Sequence, residues 1–299
     1  VKRLIIFLPF LWILLTAGMY GGTDTLAPYG VDDLDWVGEV STAGGEPPAH
    51  TDYTDYAGCQ GAYLFASESE TTDSSGEGNT LSCSNCPDYG TGDGLPNSLT
   101  SGQYAKFTDD NSDVLTRAHA DLSTDFPGKK TNCYDMAAAV WFKASEETHY
   151  RCVMWKGNGS ANGWELVLGW RDTSWNELAV IIGDTGWTGV VTPVGILADG
   201  AWHHIAFSFD GSENELKVWI DNSEHASSPF TLTDVDDICI NADYSFDISS
   251  TYSDRFLDGY VYQPIVFDET FADVATGVSQ TDDDAVVDEI YNYGIDGNG

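Results

Sequence analysis

The chain has 299 residues with 48 acidic and 12 basic side chains, a formal net charge of −36. Such a field repels phosphate backbones and anionic lipid surfaces, which excludes binding of nucleic acid or membrane surfaces through basic patches. Hydrophobic residues make up 42%, enough for a sizeable core in one large domain or two small ones.

Lys2 and Arg3 precede the apolar run LIIFLPFLWILLTAG. A short basic stretch, an apolar stretch and small residues predict a secretory signal peptide over 1–20, with an uncleaved anchor as the alternative. The run is shorter than the roughly 20 apolar residues of a spanning helix, so no stable membrane span is expected once the signal is cleaved. Residues 21–57 are rich in Gly, Asp, Pro and Thr and lack periodicity. They predict an acidic linker or extended arm, a candidate for joining copies of the chain by completing a neighbour's sheet edge.

Export implies oxidising surroundings, and the six cysteines, Cys59, Cys83, Cys86, Cys133, Cys152 and Cys239, then favour structural disulfides. Cys83 and Cys86 form a C-x-x-C, but the second pair of a zinc ribbon is missing and loop chemistry follows, PDYGTGDGLPN. The two lie too near each other for an ordinary long-loop bridge, which leaves each open to pairing elsewhere.

From Gly58 onward, short β-rich runs alternate with Gly, Asp, Asn and Ser clusters. GAYLFA, QYAKF, AAAVWFKA, YRCVMW, WELVLGW, LAVIIG, HHIAFSF, LKVWID and YVYQPIVF predict an all-β sandwich or barrel. Helical spacing is nearly absent except in TDDDAVVDEIYNYG, where Asp residues can cap a short C-terminal helix. HIAFSFD and LKVWID, joined by GSEN, read as a hairpin. Strand alternation puts His203, Ile205, Phe207 and Phe209 on one face, and Trp202, His204, Ala206 and Ser208 on the other. The adjacent histidines therefore diverge and do not ligate one metal. His203 is expected in the core with its ring nitrogens hydrogen-bonded, and His204 is the one left to meet a ligand.

The order of these segments resembles the LamG-like jelly rolls of the concanavalin A-like lectin/glucanase superfamily. AYLF with DSSGEGNTL, QYAKFTDDNSDVLTR, DMAAAVWFKAS, NGWELVL, DGAWHHIAFSFDGSENELKVWIDN, FLDGYVYQPIVFDETF and DEIYNYG fall in the family's order. The resemblance implies an antiparallel two-sheet jelly-roll sandwich over 58–299, whose relatives often bind calcium and carbohydrate or protein ligands. One departure stands out: family members usually carry an acidic pair in the closing strand, where this chain has Tyr262 and Gln263.

Hydrolases of this fold carry Glu-x-Asp-x-x-Glu on one strand, which sets the carboxylates on one face for acid/base and nucleophilic work. No Glu here has an Asp two residues later, and no G-x-S-x-G is present, so a non-catalytic module is expected. Calcium is the candidate cofactor. Asp109, Asn111 and Asp113 alternate in DDNSD, with Asp73 or Asn79 as partners from a nearby loop, although a plain Asx-rich turn explains the same residues. TDVDDI is a weaker candidate. For carbohydrate, which stacks on exposed rings, Trp164, Trp170, Trp175 and Trp187 are candidate platforms, weighed against aromatic core packing. The glycine-rich GNGSANG lacks dinucleotide spacing. The expected function is recognition of an extracellular glycan at the cell exterior. The alternatives are an adhesion or filament subunit with a cell-surface protein partner, then a glycan hydrolase with an atypical site.

Overall fold

The computed structural model describes residues 50–67, 71–129, 135–144, 151–157, 163–168, 178–183, 187–191, 198–229, 244–250 and 255–298. In chain order the strands are β1 (Cys59–Ala62), β2 (Asp88–Gly90), β3 (Tyr104–Phe107), β4 (Val114–Arg117), β5 (Asp135–Ala144), β6 (Arg151–Gly157) and β7 (Gly163–Leu168). There follow β8 (Leu178–Gly183), β9 (Trp187–Val191), β10 (Trp202–Asp210), β11 (Glu215–Ile220), β12 (Ser223–Pro229) and β13 (Phe246–Ser249). The closing strand β14 (Gly259–Phe267) leads into two helices, α1 (Phe271–Val278) and α2 (Asp283–Tyr293).

The strands form two antiparallel sheets, as expected. One has the order β12-β11-β10-β5-β14-β3-β2, with β1 paired to β14; the other runs β4-β13-β6-β7-β8-β9. Between them lies the main core. The alternation read from β10 holds: Ile205, Phe207 and Phe209 point inward with Val140 and Phe142 of β5, Val218 of β11 and Val261 of β14. The hairpin of β10 and β11 pairs Phe207 with Val218.

On the other side of the larger sheet, small residues admit the helices. Ala137 and Ala139 of β5 and Ala206 of β10 lie against Phe271, Val274, Val286, Val287 and Ile290. Helix α2 forms where DDDAVVDEIYNYG predicts it, with Asp282 capping through the Ala285 N–H. Lys217, Trp219 and Asn222 each donate to an α2 carboxylate, Asp283, Asp284 and Asp288 in turn. Helix α1 was not expected. Its signal is Thr270-Phe-Ala-Asp273, where Thr270 accepts from the Asp273 N–H at 3.2 Å.

Three expectations need correction. The domain begins before residue 58: Tyr53 is fully buried and its N–H donates to the Ile295 carbonyl at 2.9 Å. His50 stacks on Tyr293 at 3.4 Å, and the Thr51 N–H donates to Glu289 at 3.0 Å. Second, Cys83 and Cys86 pair with each other, their Cα atoms 5.1 Å apart, within the ordinary range for a disulfide. Third, Cys59 and Cys152 are free and buried, so they serve as small apolar side chains. Cys133, Cys239, residues 1–49 and TDVDDI lie outside the described residues.

Candidate functional site

The outer face of the larger sheet grades from helix-covered to open. Along β5 the outward residues are Ala137, Ala139, Trp141 and Lys143; along β10 they are Ser208, Ala206, His204 and Trp202. Cross-strand register lines these up into rows. One row is Gly90, Tyr104, Tyr262, Trp141 and His204, taken from β2, β3, β14, β5 and β10. Two residues further along every strand is a second row: Asp88, Lys106, Tyr260, Lys143 and Trp202. Side chains two apart on a strand share a face, so both rows face away from the core.

The first row is closed over. Tyr104, Trp141, Tyr262 and His204 are buried. Tyr291 of α2 stacks on Trp141 at 4.9 Å and meets His204 edge-on at 5.6 Å. Burial holds the His204 imidazole neutral, its pKa lowered to about 3, and neither ring nitrogen has a hydrogen-bond partner among the described residues. His204 is therefore not a ligand-facing residue, contrary to expectation: its face is the right one, but helix α2 covers it. His203, on the inner face, hydrogen-bonds Asp221 at 2.8 Å and Asp199 at 3.2 Å, as expected. Burial alone would lower its pKa; Asp221 and then Asp199 overcome this and hold it raised.

The second row is open. Asp88 is exposed, and Lys106, Tyr260, Lys143 and Trp202 are partly exposed. The ammonium groups of Lys106 and Lys143 lie 5.5 and 5.1 Å from the Tyr260 ring centre. Trp202 meets that ring edge-on at 6.0 Å and donates through Nε1 to the Gly94 carbonyl at 3.1 Å. The Tyr260 hydroxyl donates to Asp93 at 3.0 Å, and this bond, ahead of the nearby lysines, holds the Asp93 carboxyl below its usual value. Beside the row is a cleft of about 260 Å³ lined by Lys106, Phe107, Lys143, Gly200, Asp258, Gly259 and Tyr260. Gly259 is required there, because a Cβ would lie 2.5 Å from the Lys143 carbonyl.

Trp202, Tyr260, Lys106 and Lys143 were not singled out from the sequence as binding residues. Trp164, which was, is a core residue: it shares a face with Leu166 and Leu168 and packs between Phe207 and Phe246, at 6.0 and 5.7 Å. The strand alternation of GWELVL already carried that signal. Trp187 opens β9 with its side chain outside the described residues; Trp170 and Trp175 lie outside them altogether.

The residues expected to hold calcium do not fit it. Asp73 accepts hydrogen bonds from the backbone N–H groups of Ala62, Ser75 and Asn79. Asn79 is fully buried and tied to Gln60 and Ser123. Asp109 pairs with Arg151 at 2.7 Å, and Asp113 accepts from the Thr108 N–H at 2.9 Å. Asn111 is exposed, and its carbonyl accepts from Asn85. Among the described residues, no group of three His, Cys, Asp or Glu side chains is placed to hold a metal. Tyr262 and Gln263, at the family's acidic positions, are structural too. Gln263 sits in a bulge of β14 at φ 47° and accepts from the Ile295 N–H at 3.1 Å, fastening the segment after α2.

Acids do meet on the smaller sheet, from strands distant in sequence. Asp247 of β13, Trp155 of β6 and Glu165 of β7 form one row, all buried. Asp247 accepts from Trp155 Nε1 at 2.9 Å and from the Thr116 hydroxyl at 2.5 Å, which makes it a structural acceptor.

A family model described as the concanavalin A-like lectin/glucanases superfamily, Laminin_G_3, matches residues 109–272, more than half of the chain. The chain belongs to this family. Among solved structures, this Laminin_G_3 chain is similar to domain 4 of AbnA, a GH43 extracellular arabinanase from Geobacillus stearothermophilus, in complex with arabinotriose. Identity is 18%, coverage 72% of this chain and 94% of that one, and the TM-score 0.47. It is also similar to the binding domain of botulinum neurotoxin DC in complex with rat synaptotagmin II, at 10% identity, 79% coverage of this chain and a TM-score of 0.50. The Laminin_G_3 chain spans about half the length of that domain, 51%. No curated protein matches the chain. No helix among the described residues is long and apolar enough to cross a membrane.

Proposed function

We propose that this domain is a non-catalytic glycan-recognition module working at the cell exterior, and that the open row of the larger sheet is its contact surface. The observation that carries the reading is the pairing of two partly exposed rings, Trp202 and Tyr260, with a cleft of about 260 Å³ that presents Lys106, Lys143 and Asp258. Sugars offer C–H faces to rings, and hydroxyls to donors and acceptors of both kinds; this surface has all three. The arabinotriose-bound and receptor-bound neighbours are consistent with recognition at this kind of fold. The reading needs no calcium, since the carboxylates expected to bind it are engaged elsewhere.

The test is a glycan array with and without chelator, repeated with Tyr260→Ala and Trp202→Ala. Selective binding that survives chelator and weakens about tenfold in either variant is expected, since tenfold corresponds to one good ring contact. Equal binding to every glycan, or full binding by both variants, overturns it. Measurable hydrolysis of any bound glycan would refute the non-catalytic assignment.

A further inference from the structure

The positive charge of the open row is out of keeping with the rest of the molecule. In a chain with four acidic side chains for every basic one, a lysine ordinarily finds a carboxylate or a carbonyl. The other described cations do: Arg117 and Lys129 hold loop carbonyls, Arg151 pairs with Asp109, Lys156 donates to the Tyr244 carbonyl and Lys217 pairs with Asp283. Arg255 is engaged as well. Among the described residues Lys106 and Lys143 form no ion pair and reach no carbonyl; both ammonium groups lie over one tyrosine ring, with Asp93 as the nearby counter-charge. Each gains from the ring face, Asp93 offsets part of their mutual repulsion, and a further anion touching both would offset more.

The neighbouring acids narrow the choice. Asp88 stands at the end of the row, Asp93 is held by the Tyr260 hydroxyl, and Asp258 lines the cleft. Three carboxylates around two lysines disfavour a heavily sulfated chain more than one with a single carboxylate on each sugar. They suit a ligand with one negative charge and several hydroxyls. Resting on the glycan reading above, we infer that the sugar seated here carries a carboxylate, as a hexuronate does, with the carboxylate reached by the Lys106 and Lys143 ammonium groups above the Tyr260 ring, the sugar ring on Trp202 and a hydroxyl on Asp258.

The experiment titrates the full chain with polygalacturonate, its methyl ester, heparin and a sialylated trisaccharide. The first two share a backbone and differ in charge; the last offers a carboxylated sugar from another source. Polygalacturonate or the sialylated sugar is expected to bind, weakening about tenfold when the carboxylate is esterified, in Lys106→Gln/Lys143→Gln, or at high salt, with heparin weaker. Lys106→Arg/Lys143→Arg, which keeps the charge, should retain most of the binding, and unchanged melting of all variants shows that they fold. Equal binding of acid and ester, tighter binding of heparin, or binding that ignores both lysines overturns the inference and leaves the glycan reading standing. No binding to any glycan, charged or neutral, overturns the reading itself.

Discussion

The two rows on the outer face of the larger sheet are built from the same five strands and lie two residues apart on each. One holds Tyr104, Trp141, Tyr262 and His204 and belongs to the core; the other holds Lys106, Tyr260, Lys143 and Trp202 and faces solvent. The difference comes from outside the sheet: Tyr291 of α2 covers Trp141 and His204, and Leu99 with the Ser101 carbonyl closes over Tyr104 and Tyr262. On this face a helix end and the segment from Leu95 to Ser101 draw the line between core and candidate site, and strand sequence alone does not mark it.

The comparison is broken most severely by removing the ring that Tyr291 covers. Trp141→Ala is expected to cost about 3–5 kcal/mol, the range for a buried aromatic, whereas Trp202→Ala should cost well under half as much while weakening glycan binding. Equal losses in chemical denaturation would show that the rows do not differ as described.

Next in size is the pH response of the covered row. His204 is neutral when folded, with a pKa near 3, against an ordinary value of 6.5. The unfolded chain therefore takes up a proton that the folded chain refuses, so this contribution to stability is intact above pH 6.5 and is lost progressively as the pH falls toward 3. On the order of a few kcal/mol is at stake, and His204→Leu should flatten the melting temperature across that window. An identical acid profile in the variant would place the imidazole in water.

The smallest effect comes from its neighbour. His203 has a raised pKa because Asp221 and Asp199 outweigh its burial, so its contribution is complete below the unfolded value of 6.5 and fades as the pH rises through the raised folded one. Asp221→Asn keeps an acceptor for the His204 N–H and removes the charge. It should cost about 1 kcal/mol or less at pH 6, because Asp221 is partly exposed, and still less at pH 8.5. A loss that grows with pH would reverse the sign and refute the pairing.

Much of the fold was legible before the structure. Alternation in HHIAFSFD sent the two histidines to opposite faces, the resemblance ordered the strands, and the aspartates of TDDDAVVD marked α2. The same alternation, applied to GWELVL, puts Trp164 in the core with Leu166 and Leu168. The candidate site was not legible, for a physical reason. Lys106, Lys143, Tyr260 and Trp202 come from strands separated by up to about a hundred and fifty positions, and only cross-strand register brings them together. The residues expected to hold calcium were ambiguous for another reason: Asp and Asn suit turns as readily as metals, and Asp73 and Asn79 are engaged with backbone groups.

The meeting of His50 to Tyr53 with Glu289 to Ile295 has a consequence for how the domain can be wired. Its first and last described turns share hydrogen bonds, so the path of the backbone between them nearly closes on itself. A few residues would join the two, and new ends could be opened at a surface turn such as Gly211 to Asn214 without unthreading a strand. The same closeness makes the domain an insertable bead: spliced into a loop of a larger protein, it would leave its host's two strands of chain side by side.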